Sequence, residues 1–215
     1  MRVLVFDTET TGLPKKRQAN YRESNDWPYI VQLSYILYNA NTGNVEVEND
    51  HIIRMSYGVT IPEESSKIHG ITNEISMSRG IDIKYAIREF IRCYKICDVI
   101  VAHNIKFDRD IILAESWRNK IRNPYQRVTP PIEYCTMKHG AEICNIRRQN
   151  IYTGEICIKP PKLVELYQKL FNDTPKGLHN SMIDVYVCLR CYFMISGNID
   201  ICKANKQIET FINKL

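Results

Sequence analysis

The chain opens on a short apolar run, Val3-Leu4-Val5-Phe6, that stops at an acid, Asp7. That pattern predicts a buried strand over residues 2–7. Residues 14–28 are polar, bounded by Pro14 and Pro28, and read as a loop. Residues 29–38 are dense in β-branched and aromatic side chains, Asn39 to Gly43 supplies a turn, and residues 45–54 give a second strand. The stretch 29–54 is therefore a predicted hairpin. A loop centred on Pro62 leads into Lys67-Ile68-His69-Gly70-Ile71-Thr72. From residue 82 the period changes. Ile83, Ala86, Ile87, Phe90, Ile91 and Tyr94 recur at helical spacing, which predicts an amphipathic helix over 82–97. Residues 98–102 read as a short buried strand and 107–121 as a second helix, stopped near Asn123-Pro124. Residues 132–136 read as another strand, followed by a helix near 137–144. Residues 145–161 look irregular and end in Pro160-Pro161. Helices near 162–171 and 181–196 follow, with room beyond Gly197 for one more short helix.

Strands come first, then helix, strand, helix, strand, helix. That order predicts an α/β fold whose mixed sheet joins an antiparallel hairpin to parallel strands, with helices on its flanks. Residues 1–197 form one domain in this reading. Residues 14–28 and 145–161 are loop insertions in it, and 198–215 is a C-terminal tail or short helix.

Composition narrows the class. A length of 215 residues, 44% of them hydrophobic and 25% charged, suits one globular domain with a sizeable core. No apolar run approaches the roughly 18 residues of a membrane span. The apolar stretch before Asp7 is too short for a signal peptide, which points to an intracellular site, cytoplasm or nucleus alike. Eight cysteines raise the question of disulfides or zinc. Cys93 with Cys97, and Cys188 with Cys191, share helical faces, and the others are scattered with no zinc-ligand spacing. Reduced core thiols in a reducing compartment are the expectation. The net charge of +5 is compatible with a polyanionic partner. Lys15-Lys16-Arg17, the group Arg118, Lys120, Arg122 and Arg127, and the pair Arg147-Arg148 are candidate phosphate-facing clusters.

The candidate chemistry lies in five residues. Alternate positions on a strand share a face, so Asp7 and Glu9 point one way and Thr8 the other. Two adjacent carboxylates repel, and burying them is costly unless a positive partner stands between them. Asp108 lies in the first turn of a predicted helix just after a strand. Asp184 lies beside the apolar stripe Met182, Val185, Tyr186, Leu189 and Phe193, with His179 five residues ahead. Four hard oxygen donors select Mg²⁺ or Mn²⁺ over zinc. A nearby histidine left off the metal is placed to act as a general base. The set is that of two-metal phosphodiester hydrolysis.

Three stretches in order, Phe6 to Gly12 (FDTETTG), Ala102 to Asp108 (AHNIKFD) and His179 to Asp184 (HNSMID), make the chain resemble the DEDDh 3′–5′ exonucleases. These form the DnaQ-like family of the ribonuclease H-like superfamily. A fourth stretch, Ile68 to Thr72 (IHGIT), is also similar to the family. The resemblance implies a ribonuclease H-like sheet. It implies that Asp7, Glu9 and Asp184 hold one metal ion, that Asp7 and Asp108 hold a second, and that His179 deprotonates the attacking water. It further implies that Thr10, Thr11, Gly12 and Leu13 grip the terminal nucleotide, with His69, Asn104 and Phe107 completing its pocket. A histidine in the last motif disfavours the branch that carries tyrosine there. The leading expectation is a 3′–5′ exonuclease on DNA, acting on single-stranded or 3′-terminal ends, with a polymerase or a replication or repair protein as a partner. RNA as the substrate is the alternative, and a non-catalytic binding module on the same fold is a third reading.

Overall fold

At the centre of the molecule is β1 (Arg2–Thr10), a strand buried on both sides over Val3 to Phe6. In this computed structural model, which describes residues 1–149, 151, 153–175 and 177–213, β1 pairs antiparallel with β2 (Ile30–Asn39). The next pair, β2 with β3 (Asn44–Ile52), is antiparallel too. On its other edge β1 pairs parallel with β4 (Val99–Ala102), which pairs parallel with β5 (Ile132–Cys135). The sheet order is β3-β2-β1-β4-β5, the mixed sheet expected from the hydrophobic pattern. A register shift between Glu9 and Thr10 ends the regular pairing where the acids lie.

The two faces of the sheet carry separate cores. Leu4 and Phe6 point into one, with Leu33 and Tyr35. There they meet Phe90 of α3 (Ile83–Ile96) and Ile111 and Ile112 of α4 (Ile105–Arg118). Val3 and Val5 point into the other, against α7 (Ser181–Gly197). The period-2 alternation of one strand thus divides its apolar residues between two helical layers. The predicted stripe of α3 is largely what packs: Ala86, Ile87, Phe90 and Tyr94 are buried. Asp82 caps this helix, its carboxylate accepting from Lys84 N at 2.6 Å. In α7 burial runs almost all round the helix, because α5 (Thr136–Cys144), α6 (Leu163–Phe171) and the sheet enclose it.

Three features depart from the pattern-based expectation. The segment around Pro62 is helical: α1 (Glu63–His69) and α2 (Asn73–Arg79) are two-turn helices ended at Gly70 and Gly80. Gly80 is needed for a close approach, since a Cβ there would lie 2.5 Å from Arg54 N. Residues 145–161 are not wholly irregular: β6 (Arg147–Gln149) and β7 (Ile156–Ile158) form an antiparallel ribbon, although positions 150 and 152 lie outside the described residues. Past Gly197 there are two helices, α8 (Ile201–Ala204) and α9 (Lys206–Asn213), and Ile201, Ile208 and Ile212 are buried in the second core. Residues 14–28 do form a loop, holding a single 3-10 turn at Ser24–Asp26. All eight cysteines are free thiols. No helix among the described residues is long and apolar enough to cross a membrane.

Candidate active site

The acids gather at the C-terminal end of β1, the edge where parallel strands of an open sheet place their ligands. Thr8 points away from Asp7 and Glu9, as strand parity requires, and reaches Asp108 on α4. Its backbone N–H and its hydroxyl donate to the same Asp108 Oδ1, at 3.1 and 2.8 Å. Asp108 is buried, 3% exposed, in the first turn of α4, where the helix dipole also favours an anion. On the opposite face, Asn180 caps α7 by accepting from Met182 N and Ile183 N. Ser181 Oγ donates to the Asp7 carbonyl at 2.9 Å and ties the start of α7 to β1. That tie brings Asp184 beside Asp7 and Glu9. His179 adopts φ of +73°, and its backbone N–H donates to Asp184 Oδ2 at 3.2 Å. One ligand atom each from Glu9, His179 and Asp184 lie within 4.8 Å of one another.

The electrostatics show what this costs. Burial, with repulsion from Asp7, Asp184 and Asp108, pushes the Glu9 carboxyl up to about 9. Burial and repulsion from Asp7 push Asp184 up to about 8. Burial raises Asp7 to about 6. Asp108 is raised by burial and by Asp7, with the Thr8 hydrogen bonds opposing the shift. Asp7 thus acts on all three other acids. Among the described residues no lysine or arginine forms an ion pair with any of the four. Four carboxylates at low exposure without a protein cation are costly, and an external divalent cation could offset that cost.

An open cleft of about 740 Å³ lies over this cluster, with Asp7, His179 and Asp184 in its lining and Leu13, Asn104 and Pro161 along its walls. A second groove of about 300 Å³ shares Leu13 and Asn104 with it and adds Lys16, Arg17, Lys106 and Phe107. Leu13 stands 81% exposed between the two. Asn104 is left-handed, with φ of 72° at the start of α4, and its side chain caps nothing, which leaves it free for a ligand. Phe107 packs against Trp27 with ring centroids 6.4 Å apart. Thr10, Thr11 and Gly12 line neither groove. The Thr10 hydroxyl donates to the Gly12 carbonyl at 2.7 Å, and Thr11 bonds Tyr29 through both its N–H and its Oγ1, so these residues shape the turn that presents Leu13. His69 also lines neither. It is buried, its Nδ1 accepts from Ile71 N at 3.1 Å, and its Nε2 has no hydrogen-bond partner within bonding geometry among the described residues. Burial pushes its pKa down, opposed by the nearby Thr10 carbonyl.

Two roles were not legible in the motifs. His103 bonds Thr136 Oγ1 through Nδ1 and the Pro161 carbonyl through Nε2, each at 3.0 Å. A carbonyl only accepts, so Nε2 carries the proton and Nδ1 accepts from the threonine. Burial holds this ring neutral, with its pKa lowered to about 4. His103 therefore pins the Pro160-Pro161 wall of the cleft. Arg118 is the second. It belongs to a cluster expected to face phosphate, yet it turns inward. Its guanidinium donates to Glu115 at 2.6 Å and to the carbonyls of Ser24, Trp27 and Pro28, and lies 3.9 Å from the Tyr29 ring centroid. Glu115 also accepts from Ile30 N. Arg127 likewise donates to the carbonyls of Tyr94 and Cys97. Both cations staple loops. Arg118→Ala leaves a buried carboxylate unpaired and should cost roughly 3–5 kcal/mol in denaturant unfolding. Arg118→Lys should recover only part of it, because an ammonium lacks the planar fork.

Fold and site together define a ribonuclease H-like fold with an acid cluster at the end of its first strand. The comparison with known proteins then names the group: the chain belongs to the RNase_T exonuclease family, whose family model matches residues 4–192. Membership makes it a hydrolytic nuclease with divalent-metal dependence. The DNA polymerase III subunit epsilon of Buchnera aphidicola subsp. Acyrthosiphon pisum (strain APS) is 24% identical over 205 residues, spanning 93% of this chain and 74% of that protein. Among solved structures, E. coli exonuclease I in complex with a dT13 oligonucleotide superposes with a TM-score of 0.67 at 15% identity, covering 98% of this chain and 45% of that one. The same enzyme with a dA16 oligonucleotide gives 0.62 at 14% identity, covering 99% and 43%. The chain spans less than half the length of these exonuclease I chains.

Proposed function

We propose that the protein is a DEDDh exonuclease that hydrolyses DNA from its 3′ end and releases nucleoside 5′-monophosphates, with two Mg²⁺ or Mn²⁺ ions. The observation that carries this reading is the convergence of Asp7, Glu9, Asp108, Asp184 and His179 at one strand end with no protein cation among them. Their donor chemistry fits hard divalent ions: Asp7, Glu9 and Asp184 would hold one, and Asp7 with Asp108 the other. Bound ions of this kind supply charge neutralisation at the phosphate, an activated water and a stabilised leaving oxygen. The chain's own residues do the rest. His179 accepts the proton of the attacking water at a ring nitrogen, held in place by its N–H bond to Asp184. Thr8 fixes the orientation of Asp108. Leu13 and Asn104, on the shared rim of both grooves, position the terminal nucleotide, with Phe107 beside it.

The choice of DNA rests on the relatives: one is a DNA polymerase subunit, and the solved neighbours hold DNA oligonucleotides. The polymerase subunit also supports a replication or repair partner for this chain. A 5′-labelled single-stranded DNA and the matched RNA, each incubated with Mg²⁺, Mn²⁺ or EDTA, test the reading. The expected result is a ladder that shortens from the 3′ end, requires metal and runs faster on DNA. Faster loss of the RNA would reassign the substrate, and internal cuts or EDTA-resistant cleavage would overturn the reaction type.

A further inference from the structure

The β6–β7 ribbon has no part in the chemistry above. All six of its strand residues are exposed on both faces. The register opposes Arg147 to Ile158, Arg148 to Cys157 and Gln149 to Ile156. Directly opposed residues share a face, so Arg147, Gln149, Ile156 and Ile158 form one side and Arg148 with Cys157 the other. Ile156 and Ile158 are 71% and 47% exposed. Neither arginine makes an ion pair among the described residues, and the acid of the ribbon, Glu155, sits at its turn. A two-stranded ribbon with bare faces is marginal on its own in water. Two isoleucines beside an unpaired cation, on a chain that binds a polyanion, call for an amphipathic anionic partner.

The ribbon is also continuous with the cleft. Its neck is closed by Lys159 N donating to the Ile146 carbonyl at 2.8 Å. Pro160, Pro161 and Lys162, which follow at once, line the cleft wall, and His103 anchors that wall through Pro161. The neighbouring Lys159 is occupied by Glu165 at 2.8 Å, whereas Arg147, Arg148 and Lys162 form no ion pair among the described residues.

We propose that the ribbon is a second nucleic-acid contact: its Arg147, Gln149, Ile156 and Ile158 face lies against the single strand on the 5′ side of the nucleotide in the cleft. Arg147 takes a phosphate, and the isoleucines rest on unstacked bases as an apolar wedge does. The inference rests on the proposed exonuclease reading and extends it from the terminal nucleotide to the strand behind it.

The closed neck provides the test. Residues 147–158 are replaced by Asn-Gly, a pair suited to a tight two-residue turn. Two readouts are taken. Hydrolysis of the p-nitrophenyl ester of thymidine 5′-monophosphate reports the cleft alone. Fluorescence anisotropy with dT20 capped by a 3′-phosphorothioate reports strand binding. The expected result is ester hydrolysis within about twofold of wild type and dT20 affinity weakened by about tenfold or more. Arg147→Ala in the intact chain should flatten the log affinity against log salt slope by about 0.7, one phosphate, whereas Arg148→Ala, on the other face, should leave it alone. Ile156→Ser/Ile158→Ser should weaken binding and leave that slope alone. Unchanged dT20 affinity in both Arg147→Ala and Ile156→Ser/Ile158→Ser overturns the proposal and turns the ribbon toward a protein partner. Ester hydrolysis lost along with binding in folded point variants overturns it too, by making the ribbon part of the cleft. Strand binding that depends on the ribbon in a protein that does not shorten 3′ ends would sink the exonuclease reading alone.

Discussion

Asp7→Asn should abolish cleavage while making the metal-free protein more stable. Asp7 belongs to both proposed metal positions, and each ion contributes several kcal/mol of transition-state charge stabilisation. The loss in rate is therefore more than about 10³-fold. The stability gain follows from the raised carboxyl pKa values. A carboxyl whose folded-state pKa is raised keeps its proton more tightly in the folded protein than in the unfolded chain. That imposes no penalty below the unfolded value near 4, and the penalty grows as pH climbs toward the folded value. Here those values are about 6 for Asp7, about 8 for Asp184 and about 9 for Glu9. Asp7 repels the other three acids, so its neutral isostere relieves the whole cluster. In EDTA at pH 8 the variant should melt roughly 2–8 °C above wild type, the shift of about 1–2 kcal/mol in a chain of this size. At pH 4 the two should melt together. Mg²⁺ should raise the melting temperature of wild type and have little effect on the variant. A variant that is inactive because it is unfolded would show the opposite order in EDTA, so one thermal series separates a lost ligand from a lost fold.

His179→Asn should lower kcat by about 10²–10⁴-fold, the usual contribution of a general base, with KM nearly unchanged. Asparagine is the replacement of choice because position 179 has φ of +73°, where alanine is strained and asparagine is tolerated. The N–H bond to Asp184 belongs to the backbone and survives the change. The Mg²⁺-linked rise in melting temperature should therefore persist. Loss of that rise together with kcat would make His179 a metal-organising residue and remove it as the base.

Much of this arrangement was readable before any coordinates. The change from period 2 to period 3.6 located β1, β2, α3 and α7, and the acids stand at strand ends and helix starts, where local rules place them. The helices α1 and α2 escaped because two turns are too short to display a period, although Thr72 ahead of Asn73 and glycines at both helix ends were available cues. The ribbon escaped for the same reason, with three residues to a strand. His103 and Arg118 were missed for a different reason. Their roles depend on carbonyls far away in sequence, Pro161 for one and Ser24, Trp27 and Pro28 for the other. Basic residues on a chain that binds a polyanion look alike in sequence, and only burial separates a clamp from a phosphate contact.

Because alternate residues of β1 enter opposite cores, the acids at its end are aligned by two packings that do not touch. Thr8 and Asp108 take their position from the α3–α4 side, and Asp7 and Asp184 take theirs from α7. Substitutions deep in either layer are then felt together at the cluster, so their effects on activity depend on one another even where their effects on stability simply add. The protein's evolutionary freedom is narrower than its volume of replaceable core suggests: each layer can drift only as far as the other keeps pace.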